Sequence, residues 1–191
     1  MKRDWRRSLR NAIVRNDHRN VVAGAVAGLG GAIAIGVMEL FSVVTHYPLA
    51  VIPFATSIVL VIGSPNAEPA QPRALIGGHV VSALVGLAVL KLTGPQAWAA
   101  AVAVGLSILA MYVTGTFHPP AGINPLLVVS ANLPWTFLFA PVLAGAVLLT
   151  AFAYVWHRGR CAARNGRNAC FANDATRTAT SPSRSLRSAG N

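Results

Sequence analysis

Apolar and polar positions fall along this chain in blocks. Long apolar runs cover about residues 21–45, 74–92, 97–114 and 135–156, and shorter ones cover 49–62 and 125–131. A helix needs about 20 apolar residues to cross the hydrocarbon core of a bilayer. The long runs therefore predict spanning helices, and the shorter two suit short or re-entrant helices. The expected fold is all-α: a polytopic helical membrane protein with four spanning helices plus two short ones. Six crossings are the alternative. Lys91 placed on the cytoplasmic side favours four, and Arg73 placed there favours six.

The polar interruptions carry most of the information. Between the third and fourth long runs lies the stretch from Thr114 to Pro125, with Pro119, Pro120 and Pro125. Proline disfavours the α region for the residue before it, so a regular helix is precluded there. Asn124 is placed as a helix N-cap and Pro125 at the first helical position. An earlier interruption, residues 63–73, holds Pro65, Pro69 and Pro72, and its Glu68 and Arg73 are placed to form an ion pair. In lipid, irregular backbone is tolerated only where protein buries it or where it lines a wet cavity.

The two halves also read alike: long helix, short helix bearing proline, long helix. Aligning Pro53 with Pro120 sets Ser57 against Asn124 and residues 59–62 against 126–129. Short segments interrupted at corresponding places point to a midplane site in transporters, so an internal duplication is part of the expected fold.

Composition sharpens the class. The chain is 54% hydrophobic and 11% charged, against about 25% charged in soluble domains. Its net charge of +11 is concentrated before the first apolar run and after the last. Basic flanks beside membrane-length runs follow the positive-inside pattern. They predict both termini in the cytoplasm and a place in the cell (inner) membrane, with the lipid bilayer as the partner and no role for nucleic acid. The expected organisation is a basic cytoplasmic arm over 1–20, a transmembrane domain over 21–156 and a basic, disordered tail over 157–191. Cys161 and Cys170 match no metal or redox spacing and are expected as free thiols. Gly24 and Gly28 give the first helix a close-packing face, and Glu39 sits shallowly near its far end.

Candidate chemistry gathers at the interruptions. His118 stands in the second, with Thr116 before it and Pro119, Pro120 and Asn124 after it. His79 shares a helix face with Ser82 and Gly86, and Arg73 adjoins it in the first interruption. Thr56 and Ser57 lie in the short proline-bearing helix. A short helix starting at Pro120 or Pro125 would present free N–H groups and the positive end of its dipole, which suits an anion. His79 and His118 titrate near neutral pH when unperturbed. Nothing in the spacing demands a nucleophile–base pair or a set of metal ligands, so no enzyme, cofactor or metal site is expected.

Several motifs in order resemble the HPP family of integral membrane proteins, named for its His-Pro-Pro motif. They are Pro53-Phe54-Ala55-Thr56-Ser57, Gln71-Pro72-Arg73, Ile76-Gly77-Gly78-His79 and His118-Pro119-Pro120-Ala121-Gly122. The resemblance covers about residues 20–156 and implies four spanning helices. Plastid and cyanobacterial members of that family are linked to nitrite transport. This chain departs from the pattern at Ile123-Asn124-Pro125, where members carry small residues such as Ala-Thr-Ala. The resemblance and the physics together favour a small-anion transporter or channel, nitrite being the first candidate. The site would comprise His118, Pro119, Pro120, Asn124, Thr116, Arg73, His79, Ser57 and Thr56. A membrane packing or assembly protein without transport is the alternative. A homo-oligomer is a candidate assembly, because a chain this small needs partners to enclose a wide pathway.

Overall fold

The computed structural model describes residues 18–46 and 52–165, with side chains over 21–46 and 52–161. The expected basic arm, and the tail beyond Asn165, lie outside the described residues apart from the first turn of helix α1. The described chain is helical throughout: α1 His18–Thr45, α2 Ile52–Gly63, α3 Pro72–Thr93, α4 Ala97–Val113, α5 Ile123–Ser130 and α6 Ala144–Asn165. Three helical segments are long and apolar enough to cross a bilayer, Val21–Thr45, Pro72–Thr93 and Leu138–Cys161. Helix α4 has 17 residues, about 26 Å at 1.5 Å per residue, close to the thickness of a hydrocarbon core. With 12 residues in α2 and 8 in α5, the pattern is that of a polytopic helical membrane protein with four long helices and two short ones.

Large apolar side chains face outward along these helices. Leu92, Val113 and Val59 are 84%, 79% and 73% exposed. Against water such a surface would be an aggregation hazard, whereas against lipid tails it costs nothing. The interior is built mainly by α3, which packs against α4 and α5. Ala83, Leu87, Val128, Phe137, Leu138 and Val142 form one buried apolar cluster. Val89, Ala99, Ala100, Ala103 and Val129 form another.

Close approach to α3 is permitted by missing side chains. A Cβ added to Gly86 would lie 2.7 Å from Pro125 Cα and 3.3 Å from Val128 Cβ. One added to Gly78 would lie 2.6 Å from His118 Cβ and 2.8 Å from the Thr116 carbonyl. These two glycines, eight residues apart, share a helix face with Ser82. That face receives the second interruption and the short helix after it. By contrast, Gly24 and Gly28 on α1 meet nothing within 4 Å, so the packing face expected there is open within this chain.

The second interruption folds differently from the expectation. Pro119–Gly122 is a turn of 3₁₀ helix, and α5 continues from it through Gly122 at φ −58, ψ −16. Asn124 is therefore the second residue of α5, not its cap, and Pro125 is the third. Proline is tolerated there because first-turn N–H groups lack an intrahelical acceptor. At the helix start expected at Pro120 or Pro125, both prolines lack an N–H, the Ala121 N–H donates to the His118 carbonyl at 2.9 Å, and the Ile123 N–H is bonded within the turn.

Three further differences have local causes. The last long segment is not a regular helix from Trp135. Leu138–Leu143 is a π-helical turn with Ala140 at φ −105, ψ 34 beside Pro141, whose ring and missing N–H break the ladder. Helix α6 runs to Asn165, past the expected end at Trp156, and Arg158 Nη1 donates to Tyr154 Oη at 2.6 Å one turn back. Cys161 is disulfide-bonded, not the free thiol expected.

Gly86→Ala is expected to lower stability by about 1–3 kcal/mol, because backbone at Pro125 cannot give way. Gly24→Ala should be neutral or stabilising by up to about 1 kcal/mol. Thermal melting in detergent checks both; equal losses at the two sites would contradict the packing described.

Candidate functional site

The two interruptions meet where buried His118 of the second reaches the Pro69 carbonyl of the first, while Thr114, Gly115 and much of residues 63–73 stay exposed. Helix α3 carries His79 about 10 Å along from its start at Pro72, at 1.5 Å per residue. The Thr114–Gly122 segment brings His118 against α3 at Gly78. Helix α2 brings Ser57 between the two rings, and α5 brings Asn124 from the other side. Ser57, His79, Ser82, His118 and Asn124 are all fully buried.

Their hydrogen bonds form one connected chain. Ser57 Oγ lies 2.9 Å from His79 Nε2 and 2.9 Å from His118 Nε2. His118 Nδ1 lies 2.6 Å from the Pro69 carbonyl. Asn124 Nδ2 lies 3.0 Å from His79 Nδ1, 3.0 Å from the His79 carbonyl and 3.0 Å from Ser82 Oγ. Ser82 Oγ donates to the His79 carbonyl at 3.1 Å.

For two neutral rings these partners leave one arrangement of protons. A carbonyl only accepts, so His118 carries its hydrogen on Nδ1 and its Nε2 is a bare lone pair. Ser57 must then donate its O–H to His118 Nε2 and accept at the same oxygen from His79. His79 therefore carries its hydrogen on Nε2, and its bare Nδ1 accepts from the Asn124 amide. The Asn124 orientation is set independently, since its nitrogen faces the His79 carbonyl. The competing acceptor for Ser57, the Pro53 carbonyl, is at 3.5 Å and too far to win. The chain thus runs Asn124 to His79 to Ser57 to His118 to Pro69, every hydrogen pointing the same way.

One polar atom is left over. Asn124 Oδ1 is buried with no hydrogen-bond partner. A buried acceptor without a donor costs about 1–3 kcal/mol, so its retention calls for an explanation.

Packing holds the rings in place. Phe54 lies against His79 with ring centroids 4.5 Å apart, and the two imidazole centroids are 5.2 Å apart. Gly145 gives Phe54 its room: a Cβ there would lie 2.5 Å from the Phe54 ring. Tyr112 and Phe117 stack at 4.3 Å outside the cluster.

Nearer the start of α3, Arg73 Nη2 donates to the Thr114 carbonyl at 3.3 Å. Arg73 makes no ion pair with the exposed Glu68, contrary to the expected pairing. Thr114 and Thr116 share a hydrogen bond of 2.8 Å between their hydroxyls. Thr116 is nearly buried, and Arg73 is exposed.

Of the nine residues singled out from the sequence, Ser57, His79, His118 and Asn124 form the cluster. Thr116 and Arg73 lie between it and the exposed end. Thr56 is exposed on the outer face of α2, Pro119 is exposed and Pro120 is half-buried; none of these three makes a polar contact with the cluster. The structural part of the two prolines is to shape the backbone around His118. Sequence reasoning missed the Pro69 carbonyl, which no side-chain pattern announces, and Phe54, which read as one more apolar residue.

The aligned residues of the two halves hold the same ring. Ser57 bonds one nitrogen of His79 and Asn124 bonds the other.

Comparison with known proteins gives the sequence a family. The model of the HPP transmembrane region matches residues 16–165. Two curated proteins of Dictyostelium discoideum, each named only as a transmembrane protein, are 42% identical over 108 residues and 39% identical over 110 residues. Those matches cover 51% and 53% of this chain but 35% and 39% of the relatives, so the matched segment spans under half of their length. No solved structure matches.

The proton order makes a sharp expectation. Nitrogen-15 NMR of selectively labelled protein should find the two neutral rings in opposite tautomers, His118 protonated at Nδ1 and His79 at Nε2. Identical tautomers would refute the chain as drawn.

Proposed function

The chain belongs to the HPP transmembrane family, and from that premise we propose that it moves a small inorganic anion, nitrite first among candidates, across the membrane through the buried cluster. On this reading it sits in the cell (inner) membrane with both termini cytoplasmic, an orientation the basic flanks favour. The observation that supports this most is the meeting of the two proline interruptions on one polar cluster. Irregular backbone in a membrane protein is tolerated beside a cavity or within protein, and here it gathers five buried polar side chains. Arg73, exposed near the Thr114–Thr116 hydroxyls, raises the local concentration of anions at the entrance. Ser57, His79, His118 and Asn124 line the path further in.

A second reading has its own support. Every side chain of the cluster is fully buried and nearly all its hydrogen bonds are made, as in a polar lock between helices. The protein would then be a packing or assembly element without transport. Thr116→Cys and Ser57→Cys, with Cys161 and Cys170 replaced by Ser, separate the two. Aqueous thiol reagents reach both positions in a pathway and neither in a dry lock.

Uptake by proteoliposomes holding the purified protein provides the direct test. Nitrite entry should exceed that of protein-free vesicles. His118→Ala should reduce the excess at least about tenfold, the equivalent of ~1.4 kcal/mol. Arg73→Ala should reduce it less, and less still at high salt, because its contribution is screened. Excess flux untouched by both substitutions would remove these residues from the pathway.

A further inference from the structure

The proton inventory of the cluster restricts what can enter it. His118 commits its Nδ1–H to the Pro69 carbonyl, Ser57 its O–H to His118, and His79 its Nε2–H to Ser57. The two amide hydrogens of Asn124 face three acceptors, each 3.0 Å away. No donor hydrogen remains free. The one polar atom left open, Asn124 Oδ1, is an acceptor.

An anion that sheds water needs donors in exchange. The resting cluster has none to give. A molecule bearing an O–H meets an acceptor already waiting. The surrounding charges reinforce this. Helix α2 carries no ionisable side chain over Ile52–Gly63, and α5 carries none over Ile123–Ser130. Helix α3 contributes Arg73, exposed and bound to Thr114, and Lys91 at its far end. The Glu68–Ala70 turn offers only Glu68, which is exposed, and α4 offers Tyr112, stacked on Phe117. Among the described residues, no carboxylate touches either imidazole. A proton taken up by a ring is therefore neutralised by the incoming anion alone.

We propose that this cluster accepts small anions only together with a proton, so that its substrates are weak monoprotic acids and transport is electroneutral. The inference deepens the transport reading above and rests on it. The acid enters with its O–H donated to Asn124 Oδ1. It passes its proton to the Nε2 lone pair of His118, where the new N–H bond forms as the acid's O–H bond breaks. The Ser57 hydroxyl, displaced from that lone pair, turns to the conjugate base or to the Pro53 carbonyl. Imidazolium and anion then form a neutral pair, and release on the other side reverses the transfer. Anions of strong acids, such as nitrate and chloride, bring no proton at neutral pH and are refused.

The test uses the full chain in vesicles loaded with a pH-sensitive dye, with the membrane potential set by potassium and valinomycin. Protein-free vesicles supply the background of acid crossing lipid unaided. Nitrite and formate should acidify the lumen faster than that background. The excess should rise about tenfold as pH falls by one unit, with the protonated fraction of the acid. It should ignore the imposed potential, and nitrate should give none. Asn124→Leu, which removes the open acceptor, should abolish the excess. Nitrite uptake that follows the potential without acidifying the lumen would overturn the coupling and leave the anion pathway standing. Absence of excess flux for every anion would remove the pathway itself. Full coupled flux in Asn124→Leu would overturn the role given to its oxygen.

Discussion

A carbonyl freed by proline must still find a donor, and a lipid-facing bundle has only protein to supply one. The two interruptions solve this for each other. His118 from the second donates to the Pro69 carbonyl of the first. Arg73, at the end of the first, donates to the Thr114 carbonyl of the second. Gln71 completes the first by donating to the carbonyls of Pro65 and Ala67. A buried peptide group without a partner costs about 1–3 kcal/mol, so the His118 bond to Pro69 in particular ties the two breaks together. The placement of His118, and with it the polar cluster, follows from a backbone debt.

Ser57 is the joint that makes the cluster continuous. Two imidazoles facing one another through their Nε2 atoms need something between them that accepts from one and donates to the other. A hydroxyl has one hydrogen and two lone pairs, which is enough for both. Alanine there would leave a bare nitrogen facing an N–H across a gap. The small residues of α3 serve the same end, since Gly78 lets the backbone carrying His118 approach until its ring reaches Ser57.

Much of this was legible in the sequence, for physical reasons. Hydrophobic length specifies spans because bilayer thickness is nearly constant, so the boundaries at Thr45, Thr93 and Val113 fall within a residue of expectation. Proline clusters specify breaks because they act on the local backbone whatever surrounds it. His79 and Asn124 could be marked because polar groups in such runs are expensive. The failures came where a local signal was overruled from nearby. Asn124-Pro125 has the form of a helix start, but Pro119–Gly122 had already begun the helical turn, so the asparagine was free to turn its amide towards α3. Thr56 sits one residue from Ser57, and one residue on a helix is a rotation of about 100°, enough to put it on the outer face. Pro141 was overlooked inside an apolar run whose length alone looked sufficient. The Pro69 carbonyl had no side-chain signature.

The unmatched oxygen of Asn124 bears on why an asparagine stands at this position. An amide in the midst of a finished network adds a costly atom, unless that atom is used. Its nitrogen donates to His79 Nδ1, in agreement with the tautomer that the Pro69 carbonyl imposes through His118 and Ser57. A leucine would fill the space without an unpaired acceptor, but would leave His79 Nδ1 and Ser82 without that donor. The amide thus gains bonds to His79 and Ser82 and leaves one acceptor open. A dry lock makes no use of that acceptor. Where protons are to be handed on, a single starting order with one acceptor held open is the arrangement that chemistry requires.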